Sequence, residues 1–239
     1  MSEPMLSVLI PHLDRRAGKL RELLDVLLPQ AESASQLVEV VALRNSGGSL
    51  PEFRQALLDS ARGTWLCFID DDDLVPSYYV NEILSRLIIN PAIDYLGFLV
   101  ERAWGNIAGH PGGISTHSLR FSEWTGEHAD YTLLNPVRTS IARTGSFLRF
   151  QGNHGEDQDF RCQIIGTLRN GLEVFIDKVM YHYRWDLSDS VQSQCPHSYP
   201  LECDRNGHAV PYWRQRGFIV PPPLEVASPV FRWHERSLL

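Results

Sequence analysis

Four consecutive carboxylates, Asp70, Asp71, Asp72 and Asp73, follow directly on the apolar run Trp65–Ile69. Adjacent like charges repel, so an ordered strand end holds four of them only with a compensating cation. Hard oxygen donors suit Mg²⁺ or Mn²⁺, ions that commonly share their coordination with substrate phosphates. A second acidic group, His154-Gly155-Glu156-Asp157-Gln158-Asp159, opens an amphipathic segment. Acids in a first helical turn ordinarily serve the dipole and the cap. Beside a metal-type cluster, one of them becomes a candidate general base for an acceptor hydroxyl, with the metal stabilising a departing phosphate. An acidic run alone equally fits a solvated loop capping the helix that starts at Pro76. Its place after a buried strand sets the first cluster apart from that.

The segments that must position these groups alternate between strand and helix. Leu6–Ile10 reads as a buried strand ended by Pro11, and Leu37–Leu43 as a second, closed by Asn45, Ser46, Gly47 and Gly48. Between them, Leu20, Leu23, Leu24 and Leu27 recur at helical spacing, with Pro29 expected to stop that helix. Ser49 and Glu52 form a capping box with Pro51 in the first turn, and Phe53, Ala56, Leu57 and Ala61 line one helical face. Gly63 stands where a left-handed C-terminal residue belongs. Trp65–Ile69 is the third strand. A helix through Val80, Ile83, Leu84 and Leu87 and a strand over Ile93–Val100 follow.

Successive strand–helix units imply right-handed crossovers and a parallel sheet, whose ligands sit beyond the carboxyl ends of the strands. The expected class is therefore α/β, a single Rossmann-like domain with a mostly parallel central sheet flanked by helices. From about 101 to 135 the period dissolves into Gly, His, Ser and aromatics, which reads as an excursion over a binding face. Order returns with VRTSIA, with a helix carrying Phe160, Ile164 and Leu168, and with a late strand over Glu173–Trp185. The remainder is an irregular tail rich in Pro, Arg and aromatics.

Composition bounds the function classes. Of the 239 residues, 43% are apolar and 21% charged, which excludes wholesale disorder and fibrous repeats. The net charge of −7 argues against broad, sequence-independent nucleic-acid binding. Lys19 and Lys178 are the only lysines, so arginine carries nearly all the positive charge, suiting bidentate contacts to phosphate and carboxylate. No apolar stretch is long enough to span a membrane, and the N-terminus lacks a basic region and a cleavage site, so a cytoplasmic protein is expected. Cys67 and Cys162 read as reduced, structural thiols. Cys195 and Cys203 beside His197 and His208 match no common zinc-finger spacing.

Taken in order, LSVLIPHLDRR, VEVVALRNSGG, FRQALLDSARGTWLCFIDDDDLVP and HGEDQDF resemble the GT-A glycosyltransferases of glycosyltransferase family 2, over roughly residues 5–190. The resemblance implies a domain over 1–190, with a nucleotide-sugar-binding half to about 100 and an acceptor and catalytic half over 101–190. Residues 191–239 would pack on it as an extension. Asp70 and Asp72 match the two ends of the Asp-x-Asp motif, which holds Mn²⁺ or Mg²⁺ on the donor pyrophosphate, Asp72 being the direct ligand. Glu156 and Asp157 match the family's Glu-Asp pair, with Asp157 as catalytic base and Glu156 and Asp159 in support. YHYRWDLSDS is similar to the segment that closes over the diphosphate. There His182 and Asp186 are alternative third ligands, and Arg184 matches a common arginine. Pro11, His12, Asp14, Arg44, Asn45, Arg54, Asp70, Asp71 and Arg184 fall among the donor-binding positions. The family usually has an Asp after the second strand to read uracil. This chain has Arg44 and Asn45, while Pro-His-Leu-Asp replaces the commoner Pro-Thr-Tyr-Asn.

The expected activity is a metal-dependent, inverting transfer of sugar from a nucleotide-diphosphate sugar, UDP favoured, to a hydroxyl acceptor. A haloacid-dehalogenase-type phosphohydrolase also uses Asp-x-Asp after a strand. That chemistry needs Thr or Val where Leu74 stands and a lysine between the acidic clusters, and none lies between residues 20 and 177. A non-catalytic sugar- or metal-binding module is a third reading, disfavoured by retention of both clusters. For the acceptor, Trp104 and Trp124 are candidate stacking residues. A glycan is favoured, and a hydroxylated nucleic-acid base would draw on Arg205, Arg214, Arg216, Arg232 and Arg236.

Overall fold

Alternation within two short apolar runs builds the centre of the molecule. The computed structural model describes residues 3–44, 49–104, 113–122, 127–150 and 155–185. Strands β1 (Leu6–His12) and β3 (Trp65–Phe68) are buried at every position, as strands covered on both faces must be. Leu6, Val8 and Ile10, with Trp65, Cys67 and Ile69, face one core. Leu9, Leu66 and Phe68 face the other. β1 pairs in parallel with β2 (Val38–Arg44) on one side and β3 on the other. The chain thus leaves β1 outward to β2 and returns across it to β3. Two neighbouring strands with oppositely directed connections make a topological switch, where α/β sheets bind ligands.

The helices fill the two layers. Leu20, Leu23 and Leu27 of α1 (Ala17–Ser33) share the first core with Val80, Ile83, Leu84 and Leu87 of α3 (Tyr79–Ile89). Leu57 and Leu58 of α2 (Leu50–Ser60) share the second with Phe160, Ile164 and Leu168 of α5 (Glu156–Leu168). The Ser49–Glu52 capping box is present, Glu52 Oε2 accepting the Ser49 N–H at 2.7 Å. The sheet continues through β4 (Tyr95–Trp104), β5 (Gly113–His117), β6 (His128–Ala129) and β7 (Val137–Arg138) in the order β2-β1-β3-β7-β4-β5-β6. The last strand, β8 (Glu173–Trp185), pairs with β4. β7 is antiparallel between β3 and β4, whereas the long β4–β8 ladder is parallel. A short helix, α4 (Thr139–Ala142), follows β7. An isolated bridge between Leu74 and His182 brings β8 against the acidic turn.

Four expectations need correction. Helix α1 does not stop at Pro29 but runs on to Ser33. Buried Gln30 explains this: its amide donates to Val26 O at 2.9 Å and Pro76 O at 3.0 Å, and its oxygen accepts the Val80 N–H at 3.1 Å. Packing of Leu27, Gln30 and Ala31 thus outweighs the proline's cost, about 3 kcal/mol in an unsupported helix. Gly63 is not left-handed. A Cβ there would lie 2.6 Å from Ser7 N and 2.7 Å from Trp65 O, so close backbone approach to β1 is what excludes a side chain. The stretch 101–135 is not wholly irregular: β4 extends to Trp104, and β5 and β6 lie beyond it. Finally, Cys67 is a free buried thiol, but Cys162 is disulfide-bonded. No described helix is long and apolar enough to cross a membrane.

Candidate functional site

The acidic turn sits at the switch, and its four side chains divide by alternation. Asp71 points inward at 1% exposure. His12 Nδ1 lies 2.9 Å from its carboxylate, the Leu13 N–H donates at 2.7 Å, and Arg16 Nη1 donates at 3.0 Å. Asp73 also points inward, accepting from Tyr181 Oη and from the Arg184 N–H, each at 2.7 Å. These bonds tie the turn to β1 on one side and β8 on the other. Asp70 and Asp72 remain on the outer side, with side-chain exposures of 29% and 12%. Each meets one arginine: Arg54 Nη2 is 3.1 Å from Asp70, and Arg16 Nη2 is 2.9 Å from Asp72.

Burial, reinforced by the charges of Asp70 and Asp71, pushes Asp72 up to about 6 against the opposing pull of Arg16. Two outward carboxylates with surplus negative charge fit a hard divalent cation. Among the described residues, no three His, Cys, Asp or Glu side chains form a complete ligand set.

The second cluster begins α5. Gly155 precedes it with φ 91°, a left-handed conformation that favours glycine and turns the chain into the helix. Glu156 is buried, with its Oε1 3.0 Å from Arg54 Nε. Burial pushes it up to about 7, opposed by Arg54 and reinforced by Asp157. Asp157 is half-buried and accepts the Gln158 N–H at 2.9 Å. Burial raises it above the ordinary carboxylate value, against the pull of Arg54. Asp159 accepts from Gln163 Nε2 at 2.8 Å.

The remaining candidates divide by place. Pro11 and His12 end β1 in register with Leu43 and Arg44 of β2. Arg44 clamps Asp14 with two bonds, Nε at 2.7 Å and Nη2 at 2.9 Å. Arg184 Nε donates to Asp72 O at 2.7 Å, and its Nη1 to Glu22 at 2.6 Å. His182 is paired through Nδ1 with Glu101 at 2.6 Å. Asn45, Trp124, Asp186 and the side chain of Trp104 lie outside the described residues. Two residues were not singled out from the sequence. Arg16 bridges Asp71 and Asp72, and Tyr181 joins Asp73 to the Asp70 N–H, the latter at 3.2 Å. Their signal was available in the LDRR and YHYRW segments, but only the fold shows which acids they reach.

No protein-family model matches the chain, and no curated sequence does. Solved structures do. The crystal structure of S. aureus TarS 1–349 superposes with a TM-score of 0.55 at 18% identity, covering 75% of this chain and 60% of that one. In complex with UDP-GlcNAc it gives 0.58 at 16% identity over 82% and 62%, and in complex with UDP 0.53 at 17% over 76% and 60%. The chain therefore spans about 60% of the length of the structures it matches. At these identities the likeness is one of fold, a mixed α/β architecture with a mostly parallel central sheet flanked by helices.

Proposed function

We propose that the protein is a metal-dependent, inverting glycosyltransferase that moves sugar from a nucleotide-diphosphate sugar to a hydroxyl acceptor. The observation that carries this reading is the convergence of two acidic clusters, from the β3 turn and the start of α5, on the single guanidinium of Arg54. The similar solved structures hold UDP-GlcNAc and UDP, which favours a uridine donor. Asp70 and Asp72 would hold Mn²⁺ or Mg²⁺, which when bound offsets charge on the departing diphosphate. Asp157, half-buried and raised above the ordinary carboxylate range, takes the acceptor's proton as its oxygen attacks the anomeric carbon. A base opposite the leaving group gives an inverted product. A glycan acceptor fits the net charge of −7 better than nucleic acid does.

Calorimetry with UDP, GDP, CDP, ADP and TDP, with Mn²⁺ and with chelator, tests the donor half of the proposal. The expected result is preferential UDP binding that chelator weakens at least tenfold, or about 1.4 kcal/mol. Chelator-insensitive turnover would remove the metal. Retained anomeric configuration in the product would remove the inverting step.

A further inference from the structure

The Arg54 side chain touches both acidic clusters, and its surroundings limit what it does. It is 8% exposed, with its guanidinium carbon 5.5 Å from the centroid of the Phe68 ring. A buried guanidinium is costly unless paired, and here the pairs are Asp70 at 3.1 Å and Glu156 at 3.0 Å. The helix that carries it is a fixed platform. Phe53, Leu57 and Leu58 of α2 are buried, and Gln55 Oε1 accepts from Ser146 Oγ at 3.1 Å and the Phe147 N–H at 3.0 Å. Ser146 in turn donates its N–H to Gln163 of α5 at 2.8 Å and accepts at its carbonyl from Gln163 Nε2 at 2.9 Å. Arg54 therefore spans the acidic turn and the first residue of α5 from a rigid base.

We infer that Arg54 is a positioning residue. It fixes Glu156, and with it the helical turn that presents Asp157, against the acidic turn, so it sets the rate of transfer and not the affinity for donor. This rests on the proposed glycosyltransferase reading but departs from the expectation that Arg54 binds donor directly. Its Nε and Nη2, which share one edge of the guanidinium, already face protein carboxylates, Glu156 and Asp70. A misplacement of a catalytic group by about 1 Å costs on the order of 10²-fold, which is the scale at stake.

The test is steady-state hydrolysis of UDP-GlcNAc with Mn²⁺, in which water takes the sugar and UDP is released. Wild type is compared with Arg54→Gln, Arg54→Lys, Glu156→Gln and the Arg54→Gln/Glu156→Gln double variant. The expected result is a kcat lowered about 10²-fold in both glutamine variants with donor KM within about threefold, on the misplacement scale above. The double variant should be no slower than the worse single, because the two residues act as one unit. Lysine, keeping the charge but not the fork, should recover part of the loss. A tenfold rise in KM at Arg54→Gln with kcat preserved, or fully additive losses, would overturn the inference while leaving the enzyme class standing. Should Arg54→Gln fail to fold, Glu156→Gln and Arg54→Lys still decide: unchanged kcat in both overturns it. A wild-type chain that neither binds UDP nor releases it would overturn both readings.

Discussion

The two acidic clusters are held by different means. The turn after β3 is clamped from two directions: the end of β1 and the turn after it supply the partners of Asp71, and β8 supplies the donors for Asp73. That leaves Asp70 and Asp72 presented from a frame that cannot easily shift. The start of α5 has a looser frame. Its carboxylates lean on their own helix, Asp157 on the Gln158 N–H and Asp159 on Gln163, with Glu156 reaching across to Arg54. A group that holds a cation needs fixed geometry, whereas a group that accepts a proton needs a raised affinity for it and access to the acceptor. In the proposed reaction half-buried Asp157, whose proton affinity burial raises, is the group of the second kind. The comparison separates holding from proton transfer within one site.

The largest effect should come from Asp157. Asparagine keeps the shape and the helix-capping oxygen but loses the base, so Asp157→Asn should cost 10²–10⁴ in transfer, the usual span for general-base catalysis. UDP affinity by calorimetry should stay within about threefold, about 0.6 kcal/mol. A comparable loss of UDP affinity would place Asp157 in the holding cluster and erase the distinction.

Next comes Asp71 against Asp72, neighbours with opposite duties. Asp71→Ala strands His12, the Leu13 N–H and Arg16 around an empty position. Breaking a buried pair in this way costs about 3–5 kcal/mol, enough to bring many domains to the edge of unfolding. Asp72→Asn removes a charge that its neighbours already repel, and its effect on urea stability should stay within about 1 kcal/mol. Equal losses at both positions would mean that the turn is one structural block with no outward, functional pair.

Much of this division was legible in the residues. The apolar runs Leu6–Ile10 and Trp65–Ile69 predict buried strands of a parallel sheet, and the acidic run after β3 predicts a ligand edge. The pairing of individual acids was not legible, because Arg16, Arg54 and Tyr181 come from three separate elements brought together only by the β2-β1-β3 order and the β4–β8 ladder. Local rules failed where tertiary contacts overrode them. Gln30 carries α1 past Pro29, and the backbone of β1 explains Gly63 better than a helix cap does. The weak period over 101–135 concealed β5 and β6 because short strands carry too few residues to display alternation.

The smallest predicted effect bears on how well Arg54 neutralises the second cluster. Burial raises Glu156 from an ordinary 4.5 to about 7 and moves Asp157 in the same direction. Below about pH 4.5, folded and unfolded chains both hold the Glu156 proton. Between there and pH 7 the folded chain holds it while the unfolded chain has lost it. The folded state thus binds more protons, and stability falls as pH rises through this window, by at most about 1.4 kcal/mol per pH unit for one proton. Above pH 7 both states are ionised and the dependence fades. Other carboxylates titrate too, so the difference between wild type and Glu156→Gln isolates this group. Urea unfolding at pH 5, 6, 7 and 8 should show wild type losing stability relative to the glutamine variant by about 1–3 kcal/mol across the series. Most of that change should fall below pH 7. A flat difference would mean that Arg54 keeps Glu156 fully ionised in the folded chain. A difference of opposite sign would mean that the Arg54 ion pair outweighs burial altogether, leaving the start of α5 as firmly held as the turn after β3.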